Sequence, residues 1–127
     1  FIMTQQCLFC HLPDQLKVQA ENALAFAIFD GFPVNPGHTL IIPKRHVASY
    51  FDLAEDEVRA MHELLGQMKV RIENEFRPDG FNIGVNVSEA AGQSVFHVHM
   101  HLIPRFKGDI ENPRGGVRGV IPAKRSY

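Results

Sequence analysis

Three histidines stand at alternate positions near the C-terminus, His97, His99 and His101, in the run Phe96-His97-Val98-His99-Met100-His101-Leu102. Successive side chains of a β-strand point to opposite faces. A strand here puts three imidazoles on one face and Phe96, Val98, Met100 and Leu102 on the other. Neighbours two apart lie roughly 6.5–7 Å from each other at the Cα, and the outer pair roughly 13 Å. Two imidazoles can therefore converge on one small target, whereas three cannot easily share one metal ion, and a division of labour is expected. One chemistry open to them is a zinc hydrolase built on a His-x-His pair, in which the metal lowers the pKa of a bound water. The other is attack of a neutral imidazole on phosphorus, with a second histidine donating to the phosphate oxygens. Three histidines on a merely solvated face gain nothing for stability once protonated.

Gly92-Gln93-Ser94 directly precedes this run. A glycine lets backbone N–H groups approach a phosphate, and Gln93 and Ser94 add side-chain donors. Alone this tripeptide is an ordinary turn; beside three histidines it is an anion cradle, and it favours phosphorus chemistry. Cys7-Leu8-Phe9-Cys10 has the spacing with which two thiolates grip one tetrahedral metal, and no strand of thioredoxin type precedes it. Two cysteines so close together do not staple a secreted scaffold, so reduced thiols or a metal site in a cytosolic protein are expected. His11 adjoins Cys10 too closely for shared ligation. His38 is expected at a strand end with a local hydrogen bond, and His62 on a solvated helix face.

The positioning elements follow from periodicity. Residues 18–29 are apolar-rich and read as one or two strands. The breaker-dense Gly31–Gly37 segment is a loop, and Thr39–Ile42 is a short buried strand stopped by Pro43. Residues 46–51 hold a short helical turn. Asp52 is the expected N-cap of a long helix, with Glu55, Asp56 and Glu57 complementing its dipole. Val58, Met61, Leu65, Met68 and Ile72 form its apolar stripe, and the helix ends near Phe76. Residues 81–87 alternate as a strand, 88–92 turn, and 95–103 form the histidine strand, closed by Pro104. The expected fold is α+β: a largely antiparallel five-stranded sheet with one long and one short helix. Residues 1–104 form one domain, and 105–127 an irregular basic tail on or near the site.

The 127 residues, 45% hydrophobic and 21% charged, suit one compact domain. A net charge of -1 does not suggest nucleic-acid binding. The tail from Arg105 to Arg125 holds six basic and two acidic residues, which makes it either a solvated segment or an attractor of anions. No apolar run approaches the ~20 residues of a membrane span and no targeting leader is visible, so no membrane partner is expected.

His97-Val98-His99-Met100-His101-Leu102-Ile103, with Gly92-Gln93-Ser94-Val95 before it and Pro36-Gly37-His38 and Pro43-Lys44-x-His46 upstream, resembles the histidine triad (HIT) family. The likeness covers about Cys7 to Arg105. It is closest in look to bacterial HIT proteins and to fragile-histidine-type dinucleoside polyphosphate hydrolases. The resemblance implies a cytoplasmic homodimer joined through a continuous sheet, acting on a purine nucleotide. His99 would attack the α-phosphorus to form a nucleotidyl-histidine that water releases as a nucleoside monophosphate. His101 would hold a phosphate oxygen, with Asn86 beside the phosphates and Gln93 and Ser94 on the α-phosphate and leaving group. Asp30 would accept from the ribose hydroxyls, and Ile28, Phe29, Phe26 or Phe9 would line the base pocket. Arg105, Lys107, Arg114 and Arg118 could meet further phosphates. Members pairing C-x-x-C with a downstream histidine and the first of the triad imply a structural zinc on Cys7, Cys10, His46 and His97, with no organic cofactor. A nucleoside phosphoramidase, a nucleotide sensor with little turnover and a His-x-His metal hydrolase are the alternative functions.

Overall fold

The computed structural model describes residues 6–127. Strands β1 (Val18–Glu21), β2 (Ala25–Phe29) and β3 (Thr39–Pro43) are followed by helix α1 (Glu55–Phe76), β4 (Gly80–Val85) and β5 (Met100–Arg105). The sheet runs β1-β2-β3-β5-β4 and every pairing is antiparallel. This is the expected α+β architecture. The long helix is flanked by a three-residue 3-10 turn at Tyr50–Asp52 where the short helix was expected, and the tail carries 3-10 turns at Gly116–Val120 and Pro122–Lys124. Among the described residues no helix is long and apolar enough to cross a membrane.

The sheet separates two apolar clusters. Ala25, Ala27, Ile41, Val98 and Leu102 face α1 through Met61, Leu64, Met68 and Ile72. Phe26, Ile28, Leu40 and Ile42 face the other way, onto Cys7 and Phe9. Both faces of β2 and β3 are covered, which is why those strands read as continuous apolar runs rather than alternating ones. The second face carries the functional groups.

Helix α1 corrects two expectations. Its N-cap is Ala54, not Asp52, and the stripe it buries is Glu57, Met61, Leu64, Met68 and Ile72, with Leu64 in place of Leu65. The shift has an electrostatic cause. Ala54 has no capping oxygen, so Glu57 reaches back to accept from the Ala54 N–H at 2.9 Å. Arg45 meets the same carboxylate through two hydrogen bonds of 2.7 and 3.0 Å and holds Glu57 below the usual carboxylate range. A carboxylate only 4% exposed thus takes the place of Val58 in the buried row. Glu57→Ala removes the cap and leaves the half-exposed Arg45 guanidinium on Asp52 O and water. It is expected to cost about 1–2 kcal/mol, read as a lower urea midpoint at unchanged slope.

The histidine strand is shorter than its pattern. Only Met100–Arg105 is paired, and His97 and His99 lie in the irregular segment before it. There Val98 N–H donates instead to Val47 O at 2.8 Å. Pro104 sits inside β5 rather than ending it, opposite Phe81 of β4. The β3 pairing stops at Leu102, so Pro104 faces no β3 partner that needs its missing N–H. Phe96, on the apolar face of that pattern, is 39% exposed.

Two glycines make the turns that deliver the site. Gly37 has φ +88°, and a Cβ there would meet Phe76, Pro104 and Ile72 at 3.0–3.3 Å, so only glycine lets the loop close on α1 and bring His38 into β3's path. Gly92 has φ +95° and turns the chain into the histidine segment.

Candidate active site and metal centre

Four side chains converge where the N-terminal segment crosses the sheet. Cys7 Sγ lies 3.4 Å from His97 Nδ1, Cys10 Sγ lies 3.2 Å from His46 Nδ1 and 3.5 Å from His97 Nδ1, and the two Nδ1 atoms are 3.2 Å apart. A tetrahedral zinc with Zn–S near 2.3 Å and Zn–N near 2.0–2.1 Å has donor-to-donor edges of about 3.3–3.8 Å. These distances therefore match the faces of a coordination tetrahedron, and all four donors lie within 4.8 Å of one another. His97 is fully buried, and its Nε2–H donates to Pro43 O at 2.7 Å, which leaves Nδ1 as a lone pair aimed at the thiols. Burial, then the hydrogen bond and charge of Cys7, push the free Cys10 thiol up to about 11. The residues fit the group, and the sequence-expected set Cys7, Cys10, His46 and His97 is the set the fold gathers.

The other two triad members point elsewhere. His99 Nδ1–H donates to His97 O at 2.9 Å, so the partner assigns the tautomer and Nε2 carries the lone pair. His101 is set by a chain of bonds. Val34 N–H donates to His38 Nδ1 at 3.0 Å, so His38 carries its proton on Nε2 and donates it to His101 Nδ1 at 2.9 Å. His101 must then bear N–H at Nε2. Asp30 Oδ2 stands 3.5 Å from His38 Nε2. One imidazole offers a nucleophilic lone pair and its neighbour a hydrogen-bond donor, with ring centroids 5.2 Å apart.

His38 is the participant that sequence reasoning left as a local strand-end residue. Its signal was the alternation His38, Leu40, Ile42, which continues the β3 register one step back onto the site face. Burial pushes His38 down, against the pull of Asp30. Burial, with His99 and His38 beside it, pushes His101 down to about 4. A histidine depressed from 6.5 to about 4 binds a proton more readily unfolded than folded, so stability is full above pH 6.5 and is lost as pH falls toward 4. The expected loss is about 3 kcal/mol at 1.36 kcal/mol per pH unit. Urea midpoints at pH 7 and pH 4 should show His101→Asn losing that much less than the parent chain.

A cavity of about 380 Å³ opens before the two imidazoles. His99, His101, Asp30, Asn86, Gly92 and Ser94 line it, with an apolar end formed by Phe9, Ile28, Leu16 and Leu40. Phe9 and Ile28, two of the side chains expected near a base, line this cavity. Phe29 does not: β2 alternation turns it to the helix side, where its ring meets Phe76 at 6.2 Å and carries the Arg71 guanidinium. Phe26 shares the site face but is not part of the lining. Gln93 is also corrected. It is 4% exposed, its amide donates to Ala48 O and Val95 O, and its carbonyl accepts from Ser88 N–H. Those bonds consume the side chain in shaping the loop and leave nothing for a phosphate. Three of the tail cations are likewise engaged. Arg105 is paired with Asp109 and Asn82, and Arg114 and Arg118 stack on Tyr127.

Comparison with known proteins places this geometry in context. The HIT domain model matches residues 14–108. A 16.1 kDa HIT-like protein of Mycoplasma pneumoniae is 39% identical over 105 residues, covering 80% of this chain and 72% of its own. A bis(5'-adenosyl)-triphosphatase of Dictyostelium discoideum is 39% identical over 98 residues, 77% of this chain and 66% of its own length. A Zn-bound histidine triad family protein from Mycobacterium smegmatis superposes with a TM-score of 0.76 at 31% identity, covering 86% of this chain and 81% of that one.

Proposed function

This chain belongs to the HIT domain family, and from that premise we propose that it hydrolyses dinucleoside polyphosphates or related nucleotidyl compounds at the α-phosphate through a nucleotidyl-histidine. The observation that carries this reading is the opposed tautomers of the two cavity histidines: His99 Nε2 as lone pair, His101 Nε2 as N–H. Metal-bound histidines of a His-x-His hydrolase would instead both direct lone pairs at one ion. The triphosphatase named among the relatives supports the substrate class.

In the proposed first step His99 Nε2 forms a bond to the α-phosphorus while the bond to the leaving oxygen breaks and that oxygen keeps the electron pair. His99 Nδ1–H stays on His97 O, which disperses the positive charge the ring acquires. His101 Nε2–H donates to a non-bridging phosphate oxygen, and Asn86 and Ser94 add donors. Water then attacks phosphorus and gives up a proton to bulk solvent, the P–N bond breaks, the pair returns to Nε2, and a nucleoside monophosphate leaves. Asp30 Oδ1 is held by Phe32 N–H at 2.8 Å, so Oδ2 is the oxygen left for a ribose hydroxyl. Cys7, Cys10, His46 and His97 would hold zinc in a closed site, which ties the N-terminal segment to the sheet and activates no water. A cytosolic homodimer continuing the sheet at the free edge of β4 belongs to the same proposal.

Acid-labile, alkali-stable label trapped on His99 during turnover of a diadenosine polyphosphate tests the pathway. Undiminished turnover with no trapped label would mean direct attack by water.

A further inference from the structure

The proposed chemistry leaves a second cavity without a use. It holds about 280 Å³ on the same sheet face, on the β4 side of His101, and it shares Asn86 and His101 with the first cavity. A phosphate held at those two residues therefore has one open cavity on each side. The floor is Asn82 and Ile103, which are partners across β4 and β5. The roof is Val117 and Val120 of the 3-10 turn Gly116–Val120. That roof is packed rather than loose. Gly115, at φ +97°, lies so close to the Arg125 carbonyl that no Cβ would fit, and the Arg118 guanidinium donates to Lys124 O and sits 4.7 Å above the Tyr127 ring. Val117 and Val120 are nonetheless 61% and 83% exposed.

We infer that this cavity receives the leaving half of a dinucleoside polyphosphate, its second nucleoside, so that the chain selects large leaving groups over small amines. The inference rests on nucleotidyl transfer by His99. Its own support is the lining, which contains no lysine, arginine, aspartate or glutamate. Free pyrophosphate or an anionic tail needs cations there. A nucleobase is neutral, with apolar faces and a hydrogen-bonding edge. Two valines and an isoleucine for the faces and Asn82 Nδ2–H, whose Oδ1 is taken by Arg105, as a donor for the edge match it. Ammonia leaving from a phosphoramidate would need none of these residues.

The test compares diadenosine triphosphate with adenosine 5'-phosphoramidate on the full chain and on Val120→Asp and Val120→Leu. Val120→Asp should lower kcat/KM for the diadenosine substrate about tenfold, as expected for losing roughly one base contact. The phosphoramidate rate should stay within about twofold, and Val120→Leu should keep the parent rate on the diadenosine substrate. Equal loss on both substrates, or no loss, overturns the proposal. Equal loss together with a changed sedimentation coefficient would assign the valines to contact between copies of this chain instead. A parent chain that turns over only the phosphoramidate would overturn the leaving-group assignment and leave nucleotidyl transfer by His99 standing. A chain that forms no label on His99 with either substrate would overturn both.

Discussion

His99→Ala is expected to lower turnover of a diadenosine polyphosphate by about 10⁴-fold or more while leaving the affinity for a nucleoside monophosphate within about threefold. The split follows from position. His99 supplies one lone pair to the cavity, whereas the apolar end is made by Phe9, Ile28, Leu16 and Leu40, and Asp30 adds a carboxylate to the lining. Removing an imidazole that forms a covalent bond removes the route itself; removing one wall of a cavity this size costs little binding. Calorimetric titration with adenosine monophosphate and a steady-state assay separate the two quantities. Turnover at the parent rate would exclude His99 as nucleophile. Lost binding alongside lost turnover would make it a structural residue. His38→Ala should behave differently. It releases the tautomer of His101 without touching phosphorus, so a smaller fall, about 10²-fold and concentrated in kcat, is expected.

Replacing Cys7 and Cys10 together with serine is expected to lower Tm by about 10–20 °C, equivalent to about 3–5 kcal/mol, and to abolish stoichiometric zinc binding. The cluster joins the N-terminal segment to residues 36 and 87 or more positions away along the chain. Phe9, between the two cysteines and 5% exposed, extends the effect to chemistry. Its ring meets His97 edge-on at 6.0 Å and His99 at 5.0 Å. The double cysteine replacement should therefore also lower kcat by loosening His99, and that loss should diminish on cooling. Metal content by atomic absorption and Tm by calorimetry check the first part; activity at low and moderate temperature checks the second. Binding must displace thiol protons, so zinc affinity should fall as pH falls. A metal hydrolase would respond otherwise: chelation would stop turnover at once at any temperature, and cobalt would change the rate without changing Tm.

The motifs were legible because they are local. Alternating histidines with apolar residues between them, a C-x-x-C pair and the Pro-Gly-His loop each declare themselves within a few positions. The five strands and α1 followed from periodicity. The misplaced details are the ones that depend on partners far away in the chain. Asp52 looked like a cap because caps are read from residue type, yet Arg45 drew Glu57 inward and moved the helix start and its buried stripe. Gln93 looked like a phosphate donor because glutamine is one, yet Ala48 O, Val95 O and Ser88 N–H absorb it. Phe29 looked available to a base, yet the register of β2 on β3 sends it to the helix.

By itself the order of residues determined which groups exist for chemistry and that three neighbouring imidazoles could not all do one job. Spacing along a chain limits which atoms can reach a common point. Tertiary structure alone decided which nitrogen of each ring carries the proton. Pro43 O fixes His97, His97 O fixes His99, and Val34 N–H through His38 fixes His101. Hydrogen-bond partners set tautomers, and these partners come from β3, the loop before it and the bend before β5. Those segments meet only when the sheet closes.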